Sequence, residues 1–363
     1  MKAVTFQEIG RVSLETLPDP ELTSNDDVIV RVTCCAICGS DLHLLHGDIP
    51  MLPGESCGHE FCGVIEEVGL GVQKFAIGDR VVGTFHTACG SCRACARGEF
   101  HLCSSSGVFG YGPVFGSLNG TQAEFACVPV ADVNLRHIPQ NVTDEQAVFC
   151  GDVLTTAYGG VRNAGVVQGE TVAVIGCGPV GLMAVSSAFA FGAARVIAID
   201  LLESRCKLAQ SMGATAVVSS LENPTRRIME LTNGEGVDAV IEAVGGPKTL
   251  LLAFELVRAG GRISAVGISN FETFDYPLRE ALTKDVTFRT GLANIHRDID
   301  KTLQLVADGK IDPTVAISHR LSLEDAVEGY RLFDTREANK VMLIPGLSSL
   351  ALGSPSSAVI GAV

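Results

Sequence analysis

Thr171-Val172-Ala173-Val174-Ile175-Gly176-Cys177-Gly178-Pro179-Val180-Gly181 decides how this chain folds. Five apolar or β-branched residues make a buried strand, and Gly-x-Gly-x-x-Gly follows at once and opens a helix. That order belongs to a dinucleotide-binding βαβ unit. Gly176 permits the tight turn, Gly178 lets a pyrophosphate approach the backbone, and Gly181 allows helix and strand to pack closely. The helix N-terminus meets the phosphates with its free N–H groups. Arg195-Val196-Ile197-Ala198-Ile199-Asp200 reads as the next strand and ends in the acid that such units place roughly 20 residues on. Asp200 accepts bonds from both ribose hydroxyls and repels a 2′-phosphate, and Leu201 and Leu202 bring no cation, so NAD is expected over NADP. Arg205 is the one nearby cation that qualifies this. Strands over 214–218, 237–243, 262–267 and 285–290 complete an α/β doubly wound parallel sheet, with Gly245, Gly246, Gly260, Gly261 and Gly267 at strand ends along the cofactor's path.

Outward from that unit, 363 residues suffice for a second domain with its own core. No run approaches the roughly 18 apolar residues of a membrane span. Met1-Lys2-Ala3-Val4-Thr5-Phe6 lacks the basic-then-apolar pattern of a signal peptide, so a cytoplasmic location without a membrane partner is expected. A net charge of −14 argues against nucleic acid or an anionic lipid surface. Thirteen cysteines, an odd number in a long chain, speak for reduced thiols and metal binding rather than disulfides.

The candidate ligands lie in the first part of the chain. Val28–Val32 is a short β run, with Cys34 and Cys35 as core residues at its end. Cys38-Gly39-Ser40-Asp41-Leu42-His43 follows, at a turn where a helix start would lower the thiol pKa of Cys38. Gly58-His59-Glu60 then adds an imidazole and a carboxylate ahead of a strand over 63–69. A thiolate with an imidazole suits Zn²⁺, and a hydroxyl and a histidine beside it suit moving an alcohol proton outward. Cys89, Cys92, Cys95 and Cys103 form Cys-x2-Cys-x2-Cys-x7-Cys, the spacing of a closed tetrahedral zinc site with no position left for substrate. An iron–sulfur cluster or a redox pair would need an electron-transfer role that nothing else in the sequence supports.

Together these motifs resemble those of the zinc-dependent medium-chain alcohol dehydrogenases, from the first residues to about Pro345. The resemblance implies a GroES-like β-rich catalytic domain over 1–155 and 294–346, a Rossmann domain over 156–293 and a loose tail over 347–363. It implies two Zn²⁺ per subunit, NAD, a small alcohol or aldehyde substrate, and a homo-oligomer. Cys38 and His59 correspond to catalytic zinc ligands, and the four-cysteine lobe to the structural site. Register on Thr156-x-Tyr158-Gly159 makes Asp152 the third ligand, with the softer, out-of-register Cys150 as the alternative. Ser40 resembles the hydroxyl that takes the alcohol proton and His43 the histidine that relays it. Asp41 resembles the carboxylate orienting His59, Glu60 a glutamate that approaches the metal, and Phe85 a substrate-pocket aromatic. Thr156 and Val180 would pack behind the nicotinamide, with Arg205 near the adenosine ribose. Gly39 stands where some members carry a basic residue for the pyrophosphate, so that contact comes from elsewhere; Lys340 resembles such a cation.

The reaction so implied is reversible oxidation of a primary or secondary alcohol, with hydride passing to NAD. A polyol dehydrogenase or a thiol-conjugated formaldehyde dehydrogenase uses the same site, and an aspartate ligand slightly favours the latter. A nucleotide-binding protein without chemistry is the reading from another class. The intact ligand set and the Ser40/His43 pair oppose it.

Overall fold

Strands that are apolar at every position need cover on both faces, and the nucleotide half supplies it. The structure, a computed structural model, describes residues 1–268 and 273–348. Among these, six parallel strands run in the order Ala216–Ser219, Arg195–Asp200, Thr171–Ile175, Val237–Glu242, Val257–Ala265 and Thr287–Thr290. Alternate side chains go to different cores. Val172, Val174, Val196 and Ala198 join one cluster, and Ala173, Ile175, Ile197 and Ile199 another on the opposite face. The strand order reverses beside Thr171–Ile175, which puts the binding crevice at that strand's C-terminal end. Gly176 turns there at φ +88°, and a Cβ on Gly181 would lie 1.7 Å from the Gly176 carbonyl oxygen, so glycine is required at both.

Several strand ends differ from the sequence expectation. The strand expected over 262–267 begins at Val257 and stops at Ala265, and that expected from 285 begins at Thr287. The strand expected over 214–218 is Ala216–Ser219. Ladder pairing, which apolar content does not reveal, sets these limits; Val237, for instance, pairs with Val257.

The other half is built on Val28–Ile37, ten residues long, so Cys34 and Cys35 lie inside the strand rather than at its end. It pairs antiparallel with Glu60–Val68 (Ala36 opposite Glu60), with Phe125–Val128 and with Val341–Ile344 (Ile37 opposite Val341). The chain's last described strand therefore returns beside an early one, carrying Lys340 to the end of the sheet where Cys38 and His59 stand. The helices Val153–Asn163 and Ile295–Ala307 pack together between the halves. No helix among the described residues is long and apolar enough to cross a membrane. From residue 349 on, the expected tail lies outside the described residues.

Candidate functional site

Three loops deliver one donor each to a single point. Cys38 leaves Val28–Ile37, His59 enters Glu60–Val68, and Asp152 stands between the helices Asp144–Cys150 and Val153–Asn163. Cys38 Sγ lies 3.6 Å from Asp152 Oδ2, and His59 Nε2 lies 3.4 Å from the same oxygen. With Glu60 these residues offer ligand atoms that all lie within 4.8 Å of one another. Cys150 is not among them; its thiol faces the Gln146 carbonyl oxygen at 3.9 Å. A thiol, an imidazole and a carboxylate converging in a buried site are the donor set that Zn²⁺ takes. Ser40 Oγ stands 3.2 Å from His59 Nε2. His43 borders the same cavity, half-buried, its Nδ1 2.8 Å from Asp48 Oδ2. The rings of Phe85 and Tyr111 meet His59 edge-on, with centroids 6.0 and 5.7 Å away.

One electrostatic expectation fails. Cys38 was expected to have a lowered thiol pKa at a helix start. The helix Asp41–Leu45 has only five residues, and burial together with the Asp152 and Glu60 carboxylates pushes the Cys38 thiol up to about 11. Burial also opposes a charge on His59, but Asp41 and Asp152 outweigh it and hold that imidazole well above its ordinary pKa.

Behind the donors lies a supporting layer in which the sequence pointed to Asp41 but not to Gln122 or Tyr330. His59 Nδ1 is 3.3 Å from Asp41 Oδ1, and Asp41 Oδ2 accepts from the Cys38 amide at 2.9 Å and from Gln122 Nε2 at 3.1 Å. Gln122 also donates to the Ala36 carbonyl oxygen at 3.1 Å and accepts from the Tyr330 hydroxyl at 2.8 Å. Its side chain fills the space beside Gly58, where a Cβ would lie 2.3 Å from Gln122 Cγ. On the other flank, the Thr156 hydroxyl donates to Asp152 Oδ1 at 2.9 Å. Carboxylates that orient a ligating imidazole are in turn held by hydrogen bonds, and losing such support typically costs 10–100-fold in metal affinity. Gln122→Leu should therefore weaken zinc affinity by about that factor, read from zinc retained against a graded chelator. Gln122→Glu keeps the acceptor for Tyr330 but sets an acceptor oxygen against Asp41 Oδ2 and the Ala36 carbonyl oxygen, so it should not restore the wild-type affinity. Wild-type retention in Gln122→Leu would remove Gln122 from the site.

Cys89, Cys92, Cys95 and Cys103 form the second set of converging donors. Cys92 Sγ lies 3.5 Å from Cys95 Sγ and 3.9 Å from Cys103 Sγ. The amides of Cys92 and Cys89 donate to Cys89 Sγ and Cys103 Sγ, both at 3.3 Å. Amides of Cys95 and Ser104 hold the Cys92 thiol down to about 5, whereas burial and the neighbouring thiols push Cys95 up to about 12. Neighbouring thiols pulled in opposite directions, as Cys92 and Cys95 are, make a charge pattern that a divalent cation resolves.

From the first donor set a cavity of about 580 Å³ extends between the halves to Gly176, Gly178, Val180, Asp200 and Arg205. Thr156 borders it as well. Asp200 caps the glycine turn, its Oδ2 accepting from the Cys177 amide at 2.6 Å and its Oδ1 from the Leu202 amide at 2.8 Å. Lys340 departs from expectation. It is fully buried, and its Nζ lies 2.6 and 2.7 Å from the two Glu60 carboxylate oxygens and 3.0 Å from the Ile37 carbonyl oxygen. A cation so enclosed serves Glu60, not a pyrophosphate. The antiparallel pairing of Val341 with Ile37 puts it there.

Comparison with known proteins agrees with this architecture. Residues 24–140 match the family model "Alcohol dehydrogenase GroES-like domain", and residues 179–308 match "Zinc-binding dehydrogenase". An uncharacterized zinc-type alcohol dehydrogenase-like protein of Bacillus subtilis (strain 168) is 38% identical, the match covering 95% of this chain and 100% of that protein. The solved alcohol dehydrogenase TADH from Thermus sp. ATN1 is 51% identical with a TM-score of 0.92, covering 95% of this chain and 100% of its own. A zinc-binding dehydrogenase from Sinorhizobium meliloti 1021, solved with NADP, is 32% identical with a TM-score of 0.83, covering 95% and 99%.

Proposed function

The chain belongs to the zinc-dependent medium-chain alcohol dehydrogenase family, and from that premise we propose that it oxidises small alcohols to aldehydes or ketones, and reverses the reaction, with NAD and two zinc ions per subunit. The observation that carries this reading is the meeting of Cys38, His59 and Asp152 in one cavity with the Gly176–Gly181 turn and Asp200. Zinc held by Cys38, His59 and Asp152 would supply Lewis acidity toward an alcohol or carbonyl oxygen, and NAD the hydride acceptor. The chain's own residues do the rest. Ser40 takes the hydroxyl proton, and His43, partly exposed and held by Asp48, passes it to solvent. Asp41 fixes the His59 tautomer with Nε2 facing the donors, and Thr156 fixes Asp152. Phe85, Val108 and Tyr111 wall the reacting end with apolar surface and limit its water. Cys89, Cys92, Cys95 and Cys103 hold the second zinc, which serves the fold. Asp200 favours NAD, because a 2′-phosphate would approach a carboxylate already fixed by two amides.

The test is a spectrophotometric screen of alcohols at alkaline pH, with NAD and NADP in parallel and metal quantified on the same sample. About two zinc ions per chain and faster reduction of NAD than of NADP are expected. Metal-loaded protein that reduces neither nucleotide with any alcohol would leave only a nucleotide-binding scaffold. Faster reduction of NADP would mean that Asp200 does not read the ribose.

A further inference from the structure

The dinucleotide's phosphates still need a cation. Gly39 has no side chain, and the Lys340 ammonium is enclosed by Glu60 and the Ile37 carbonyl oxygen. Two guanidiniums border the same cavity from opposite halves of the molecule. Arg205 belongs to the helix Glu203–Ser211, yet it reaches back past the ribose-reading acid: its Nη1 lies 3.8 Å from where a Cβ on Gly178 would sit. Gly178 is the position at which a dinucleotide's pyrophosphate meets the backbone. Arg336 comes from the other side, in the turn after the helix Ala326–Asp334. It is exposed and holds a left-handed φ of +62°, a conformation that a non-glycine residue rarely adopts.

Among the described residues neither guanidinium has a hydrogen-bond or ion-pair partner, although the chain carries 41 acidic side chains against 27 basic ones. Burial first, and then the Arg336 charge, pulls the Arg205 pKa down, against the pull of Asp200. Two like charges lining one cavity are unfavourable until an anion joins them there.

We propose that Arg205 and Arg336 form a two-sided clamp on the bridging diphosphate of the bound dinucleotide, with Arg336 as the contribution of the catalytic half. The clamp rests on the dinucleotide reading above and deepens it. Guanidiniums suit this task because their forked donors match phosphate oxygens two at a time. The amides at the start of the helix Pro179–Ala190 meet the same group from below. A 2′-phosphate is the other anion that two arginines could hold. The Asp200 carboxylate, fixed at the ribose position by the Cys177 and Leu202 amides, disfavours it.

Calorimetric titration of the zinc-loaded protein with ADP-ribose and with 2′-phospho-ADP-ribose tests the proposal on the wild type, Arg336→Ala and Arg336→Lys. Arg336→Ala should bind ADP-ribose about ten- to hundredfold more weakly, the worth of a hydrogen bond to a charged group. Arg336→Lys should recover part of that loss, and the salt dependence of ADP-ribose binding should shrink in Arg336→Ala. Arg336 is exposed, so an unchanged melting temperature will show that the variants fold. Unaltered ADP-ribose affinity in Arg336→Ala overturns the clamp. So does a loss confined to 2′-phospho-ADP-ribose, which would assign the pair to the ribose phosphate. Failure of the wild type to bind either nucleotide would overturn the dinucleotide reading itself, a result distinct from both.

Discussion

Cys38→Ser should cost each chain the zinc proposed for the Cys38, His59 and Asp152 donors and lower alcohol turnover at least about a thousandfold, while the fold survives. A buried thiol, two carboxylates and an imidazole converge at that site, and burial with the Asp152 and Glu60 charges holds the Cys38 thiol up at about 11. A divalent cation reverses that balance, because it stabilises the thiolate that the carboxylates oppose. A serine hydroxyl cannot ionise there to the same end, so His59 and Asp152 would be left as two ligands, one short of a catalytic zinc site. Lewis-acid assistance is worth several kcal/mol, hence about three decades of rate. The fold should persist, since the apolar core around Val28–Ile37 does not depend on the Cys38 sulfur. Metal content, turnover and melting temperature measured on one preparation decide the matter, with Asp152→Asn beside it to test the third donor. Wild-type zinc content and turnover within tenfold of normal would remove Cys38 from the reaction.

What the sequence disclosed and what it hid divide by the range of the interaction. The Gly176–Gly181 turn was legible because strand, turn and helix are adjacent in the chain and each glycine answers a local steric demand. The four-cysteine lobe was legible for the same reason. Asp152 and Cys150 could not be separated by softness, because that choice depends on which side chain emerges at the junction of two helices. In the structure Asp152 meets Cys38 and His59, while Cys150 faces its own helix. Gln122 and Tyr330 gave no signal at all. Their bond joins residues 208 positions apart, and a glutamine among small residues reads as surface until the chain is folded around it. Lys340 was misread because Lys-Val-Met-Leu says nothing of its strand partner. Only the pairing of Val341 with Ile37 shows that the lysine ends inside the protein.

That placement carries the second large effect. Lys340→Met should cost about 3–5 kcal/mol of stability, since it leaves the Glu60 carboxylate buried without its cation. Both side chains of the pair are fully buried, and Lys340 touches both Glu60 oxygens and a main-chain carbonyl. Burial alone would discharge this lysine, but the Glu60 carboxylate more than offsets it and keeps the ammonium protonated. Methionine fills a similar volume, so a large loss would report the stranded charge rather than a cavity. Adding Glu60→Gln to Lys340→Met removes that charge, and most of the lost stability should return, because replacing both members of a buried pair is often close to neutral. The single variant should also lose activity in its folded fraction. Glu60 offers an oxygen within 4.8 Å of the Cys38, His59 and Asp152 donors, and once released from Lys340 it competes for the position meant for substrate. Denaturant unfolding of wild type, single and double variants, with turnover at equal zinc content, separates the two consequences. A single variant as stable and as active as the wild type would show that Lys340 neither neutralises Glu60 nor keeps it away from the metal.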